Sequence, residues 1–146
     1  MVPSVILCPV DFSAATAQLV NYAAALARSK GAELRLLYVR EPTTALSPTA
    51  CREALPLLSD LQCMAQLAGT RYVSIAVRAG EAAAEIVADA IGCVADLIVI
   101  GAHGCTHLSR FLMGSTAEQV LRTAPCATLL MDQHGSPRQP SEYLFH

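Results

Sequence analysis

Asp96-Leu-Ile-Val-Ile-Gly-Ala-His-Gly104, followed after nine residues by Gly114-Ser115, is the stretch whose reading decides the fold. Leu97 to Ile100 form a short apolar run that reads as a buried strand. Gly101 and Gly104 end that strand in a loop, and Gly114-Ser115 opens a segment with apolar residues at helical spacing. Glycines let backbone N–H groups approach an anion closely, and a helix N-terminus adds unpaired donors and partial positive charge. The stretch therefore predicts a strand, a phosphate-cradling loop and a helix, in that order.

The same alternation extends outward in both directions. Upstream, Val5 to Val10 reads as a first strand ended by Pro9 and Asp11, and Ser13 reads as the cap of a helix. That helix carries Leu19, Tyr22, Ala23, Leu26 and Ala27 on one face and stops at Gly31. Leu34 to Val39 is a second strand, and Glu41 to Ala50 a loop rich in Pro, Thr and Ser. The next helix takes its apolar face from Leu57, Leu58, Leu61, Met64, Ala65 and Leu67, with Pro56 expected in its first turn. Arg71 to Arg78 is a third strand, Glu81 to Ile91 a helix, Ser115 to Arg122 another helix, and Cys126 to Met131 a fifth strand.

Strands separated by helices predict an α/β domain: an open, doubly wound, five-stranded parallel sheet with helices on both faces. Placing the first and fourth strands side by side gives the order 3-2-1-4-5. Pro9-Val10-Asp11 and the glycine loop then meet where strand order reverses, the usual ligand crevice of such sheets. One domain over residues 1–131 is expected, with 132–146, polar and holding two prolines, as a flexible tail.

Composition narrows the function classes. Ten Lys and Arg against twelve Asp and Glu give a net charge of −2, and Lys30 is the sole lysine, so no basic stripe exists to follow nucleic acid. Apolar residues make up 53%, yet no run reaches the roughly 18 residues of a membrane span. The opening Met1-Val-Pro-Ser-Val-Ile-Leu reads as a strand and not as a signal peptide. Six cysteines without a C-x-x-C pair, several inside apolar runs, fit a reducing, cytoplasmic setting.

With these residues in view, the chain resembles the universal stress protein family, over almost its whole length up to Met131. The resemblance is carried by Val5-Ile-Leu-Cys-Pro-Val-Asp11, Leu36-Leu-Tyr-Val39, Asp96-Leu-Ile-Val-Ile-Gly101, Gly114-Ser-Thr-Ala-Glu-Gln-Val120 and Ala124-Pro-Cys126. The nucleotide-binding branch of that family has a G-x2-G-x9-G-[ST] pattern, which Gly101, Gly104, Gly114 and Ser115 match. The resemblance implies ATP, or its ADP or AMP form, at the switch point. Asp11 would accept from the ribose hydroxyls, Pro9 and Val39 would line the adenine pocket with the Val39 backbone bonding the base, and Val10 would belong to the same cofactor site. The backbone from Gly101 through Ala102 and His103 to Gly104, with Gly114, would hold the phosphates. Ser115 and Thr116 would add hydroxyls, and Mg²⁺ or Mn²⁺ would bridge the phosphates. It further implies a homodimer through the fifth strand, Ala127 to Met131, whose apolar edge has no lysine or proline to protect it.

The chain departs from the family pattern at Ala117, where some members have a second hydroxyl, and at Cys105 and His107, where many have Arg and Gly. Three other readings compete residue by residue. Asp11 could cap the first helix, and Ser115-Thr-Ala-Glu118 is a capping box as well as a phosphate donor. His103, Cys105 and His107 alternate in a way that matches no zinc spacing and read as a solvated loop, with no protein-bound metal expected. No G-x-x-x-x-G-K-[ST], loop lysine or G-x-S-x-G elbow is present, so at most a weak ATPase is expected. The alternatives to an ATP-binding stress-response module are a dimeric interaction module without nucleotide and a slow ATP hydrolase.

Overall fold

Strands and helices alternate along the computed structural model, which describes residues 4–41, 48–102, 115–131 and 137–138. In chain order they are β1 (Val5–Val10), α1 (Thr16–Lys30), β2 (Glu33–Arg40), α2 (Pro48–Leu67), β3 (Tyr72–Ala79), α3 (Ala82–Gly92), β4 (Leu97–Gly101), α4 (Ser115–Thr123), β5 (Ala127–Met131) and β6 (Pro137–Arg138). The sheet runs β3-β2-β1-β4-β5-β6. Its first five strands are parallel in the expected 3-2-1-4-5 order, and β6 lies antiparallel on β5.

Period-two alternation sorts the strand side chains between two cores. Ile6, Cys8 and Val10 of β1, Leu34 and Leu36 of β2 and Val99 of β4 pack with Leu19, Val20, Ala23, Ala24 and Ala27 of α1 and Leu58 and Ala65 of α2. Leu7, Leu37, Ile98, Ile100 and Leu130 face the other way, against Ala83, Ile86 and Ala90 of α3 and Ala117 and Val120 of α4. Each fully buried Leu or Ile contributes about 1.5–3 kcal/mol of burial free energy, so the two helical layers hold the sheet from both sides. Burial also pushes the Cys8 thiol well above its ordinary range, in keeping with a cysteine that acts as a small hydrophobe.

Local expectations fail where a contact distant in the chain or an unusual backbone angle intervenes. Ser13 does not cap α1. The chain turns at Phe12 (φ 59°), the helix starts at Thr16, and its N-cap is Ala15, which makes no side-chain cap bond. Pro48–Ala50, expected in the loop, begin α2, so Pro56 lies inside the helix and not in its first turn. It is tolerated on an exposed stretch, where water can take the carbonyl bond for which proline has no donor. Leu57 and Leu67, expected on the buried face, are 44% and 90% exposed; the face that packs is Ala54, Leu58 and Ala65. The fifth strand is not a bare edge, because β6 pairs Leu130 with Arg138 and Met131 with Pro137.

The turn between α3 and β4 has its own strained residue. Val94 has φ 53° and is 76% exposed, and its N–H bonds the Ile91 carbonyl while that of Ala95 bonds Ala90. This is a left-handed helix end occupied by a β-branched side chain, a position that favours glycine. Val94→Gly is expected to raise stability by about 0.5–1 kcal/mol in urea denaturation, the strain released minus glycine's entropy in the unfolded chain. A decrease would show that the left-handed backbone costs nothing there.

Candidate functional site

The reversal of strand order falls between β1 and β4, the two middle strands. At their amino ends they are joined tightly: Asp96 Oδ2 accepts from the Val5 N–H at 2.9 Å, and the Asp96 N–H donates to the Val5 carbonyl at 2.9 Å. Their ladder then covers only Ile6 with Leu97 and Leu7 with Ile98. By contrast, β1 pairs with β2 from Val5 to Val10, and β4 with β5 from Leu97 to Gly101. The carboxyl halves of the two middle strands thus stand side by side without being zipped together, at the place where doubly wound sheets bind ligands.

On the β1 side, Pro9 and Val10 are buried and Asp11 emerges exposed. Asp11 Oδ1 accepts from the Ser13 N–H at 3.0 Å and from the Thr16 hydroxyl at 3.4 Å. The carboxylate therefore orders the entry to α1, the helix-start role that the sequence had assigned to Ser13. Phe12 follows in a left-handed conformation that costs a non-glycine residue about 1–2 kcal/mol. Its ring lies 4.8 Å from that of Tyr38, centroid to centroid, and that packing offsets the strain. Val39, at the end of β2, is half-buried against the α3 and α4 core.

At the carboxyl edge of the sheet, Gly80 after β3 and Gly101 at the end of β4 differ in kind. Gly80 has φ 145°, and a Cβ there would lie 2.9 Å from Glu85 Cγ, so the fold itself requires glycine. Gly101 has no left-handed angle, and among the described residues a Cβ built on it would meet no atom within 4 Å. Neither the backbone angle nor packing against the described residues demands glycine at 101. Ala102 is buried and continues the sheet, its N–H donating to the Met131 carbonyl at 2.9 Å.

Ser115 is exposed as the first residue of α4, and Thr116 is half-buried beside it. Ser115 is inside the helix and not its cap, and the Glu118 carboxylate pairs with Arg122 at 2.7 Å, so the described contacts do not form the expected capping box. Ala117 is 2% exposed and packs in the core, so a hydroxyl at this position would face the core and not the crevice. His103, Gly104 and Gly114, with Cys105 and His107, lie outside the described residues. Among the described residues, no group of three His, Cys, Asp or Glu is placed to hold a metal, and no helix is long and apolar enough to cross a membrane.

One residue at this edge escaped the sequence reading. Arg40 ends β2 directly after Val39, and its buried Nε has no hydrogen-bond partner among the described residues. A charged residue closing an apolar strand at the carboxyl edge was the available signal, but a surface arginine gives the same pattern.

A sequence profile of the Universal stress protein family matches residues 4–131. Universal stress protein MJ0531 of Methanocaldococcus jannaschii is 30% identical over 137 residues, covering 86% of this chain and 80% of that protein. Among solved structures, universal stress protein UspA from Lactobacillus plantarum superposes with a TM-score of 0.77 at 25% identity, over 87% of this chain and 96% of its own. A universal stress protein from Archaeoglobus fulgidus, solved in complex with dAMP, gives a TM-score of 0.71 at 25% identity, over 89% and 98% of the two chains.

Proposed function

The chain belongs to the universal stress protein family, and on that footing we propose that it is an adenine-nucleotide-binding, stress-response or regulatory member that takes ATP in the gap between β1 and β4. The observation that carries the reading is the unzipped pair of middle strand ends, with the Asp11 carboxylate beside one and Gly101, a glycine that neither its backbone angle nor described packing demands, beside the other. A related protein solved with dAMP supports the nucleotide class.

Asp11 accepts from the ribose hydroxyls in this reading. Its helix-entry bonds are compatible with that role, because a carboxylate accepts about four hydrogen bonds. Pro9 and Val39 give the base an apolar wall, whereas Val10 packs on the opposite face of the sheet, toward α1. Gly101 to Gly104 and Gly114 present backbone N–H groups to the phosphates, Ser115 and Thr116 add hydroxyls, and the positive end of α4 favours the negative charge. Mg²⁺ or Mn²⁺ would arrive with the triphosphate, held by phosphate oxygens and water and supplying charge neutralisation. The donor set suits holding phosphates and assigns no base to cutting them. In the same reading the protein is a homodimer through β5.

Mass spectrometry of nucleotide released from the purified protein, with calorimetry using ATP and Mg²⁺, tests the proposal. An adenine nucleotide in the released fraction and micromolar binding are expected. No binding of ATP, ADP or AMP at millimolar concentration overturns it in favour of an interaction module without nucleotide.

A further inference from the structure

We infer that β6 is a displaceable cap on the β5 edge, which competes with a second copy of this chain for the same backbone groups; the inference rests on the proposed pairing through β5. The direction of those groups follows from one bond. The Met131 carbonyl accepts from the Ala102 N–H at 2.9 Å, so the Met131 backbone faces β4. Along a strand successive residues turn their N–H and C=O to opposite sides. Leu129 and Ala127 therefore face β4 as well, and Leu130 and Thr128 turn theirs outward.

β6 occupies half of that outward edge. Arg138 stands opposite Leu130, and Pro137 opposite Met131. Leu130 with Arg138 is thus the pair that exchanges hydrogen bonds, and Pro137, which has no N–H, sits where no outward bond is needed. The order Pro137-Arg138 is in register with the edge that it covers. Among the described residues, Thr128 is the outward-facing position that β6 does not reach.

A second β5, antiparallel about a two-fold axis at Leu129, would pair all five residues, Ala127 with Met131 and Thr128 with Leu130. That register needs Leu130 open. With β6 in place the axis must move to Thr128, where only Ala127 to Leu129 can pair and the partner's Pro125 and Cys126 run against β6. The three-residue ladder keeps one hydrogen-bonded pair, Thr128 with its copy, where the five-residue ladder has two, and so is the weaker pairing. Docked β6 thus disfavours the dimer, and released β6 admits the five-residue pairing.

Sedimentation of the full chain over a concentration series, with amide hydrogen exchange, tests this. Arg138→Pro removes the N–H that β6 gives to Leu130, while Arg138→Ala keeps it. Arg138→Pro is expected to tighten dimerisation by up to about tenfold, the effect of losing one competing backbone hydrogen bond, and Arg138→Ala to leave it unchanged. The Thr128 amide should become protected only in the dimer. An unchanged or weakened dimer in Arg138→Pro, with Thr128 still protected on dimerisation, overturns the competition and leaves pairing through β5 standing. A dimer in which Thr128 stays unprotected, or no dimer in any of the three proteins, overturns both.

Discussion

Gly101→Val is expected to weaken ATP binding by at least about a hundredfold while leaving the fold intact. A valine is compatible with the backbone at 101, which has no left-handed angle, and its Cβ meets no atom of the described residues within 4 Å. Valine also suits a strand, and 101 pairs with Met131 in the β4–β5 ladder. The added isopropyl group costs the protein little and occupies the space that a phosphate would use to reach the backbone. Calorimetry with ATP and Mg²⁺, beside a thermal melt, reads both halves of the expectation. Wild-type affinity in a folded Gly101→Val protein would show that the β4 end is not the phosphate site. Gly114→Val should abolish binding at the far end of the same loop.

The second large effect lies under α3, away from the crevice. Asp89, 2% exposed, accepts two bonds from Arg35, from Nε at 2.7 Å and Nη2 at 2.9 Å, and a third from Arg78 Nη1 at 3.3 Å. Arg78 also pairs with Glu85 at 2.9 Å. The hydrogen bonds to Asp89 raise the Arg35 guanidinium further above its ordinary range. Arg35→Met is expected to destabilise the protein by about 3 kcal/mol, because it strands a buried carboxylate on one longer contact. Asp89→Leu should cost less, since the two arginines it leaves are partly exposed and can turn to water. Joining the two changes should recover most of the Arg35→Met loss. Urea denaturation of the two single variants and the double variant measures this cycle. An Arg35→Met cost below about 0.5 kcal/mol, the range of an ordinary surface change, would show that the network does not hold α3 to the sheet.

Much of the fold was legible in the residues. The strands are short apolar runs closed by Gly, Pro or Asp, and a buried parallel strand has no other way to be written. Leu97 to Ile100 and Val5 to Val10 were therefore found within a residue of their true ends. Part of the crevice was legible for the same reason: Asp11 and Gly101 are the first residues after buried runs, and the topology leaves such residues at the carboxyl edge. Pro56 and Leu67 were misread because helical periodicity marks a face without saying which part of it another element reaches.

The sequence by itself determined the alternation of elements and, with it, the parallel five-stranded sheet, because apolar periodicity and turn chemistry are local. Only the tertiary structure decided that Asp11 and not Ser13 orders the start of α1, that Ala117 is a core residue, that Arg35, Arg78 and Asp89 converge from three elements, and that β6 covers half of the β5 edge. Each of these depends on which distant groups a residue meets once the sheet has formed, and no spacing along the chain encodes that meeting.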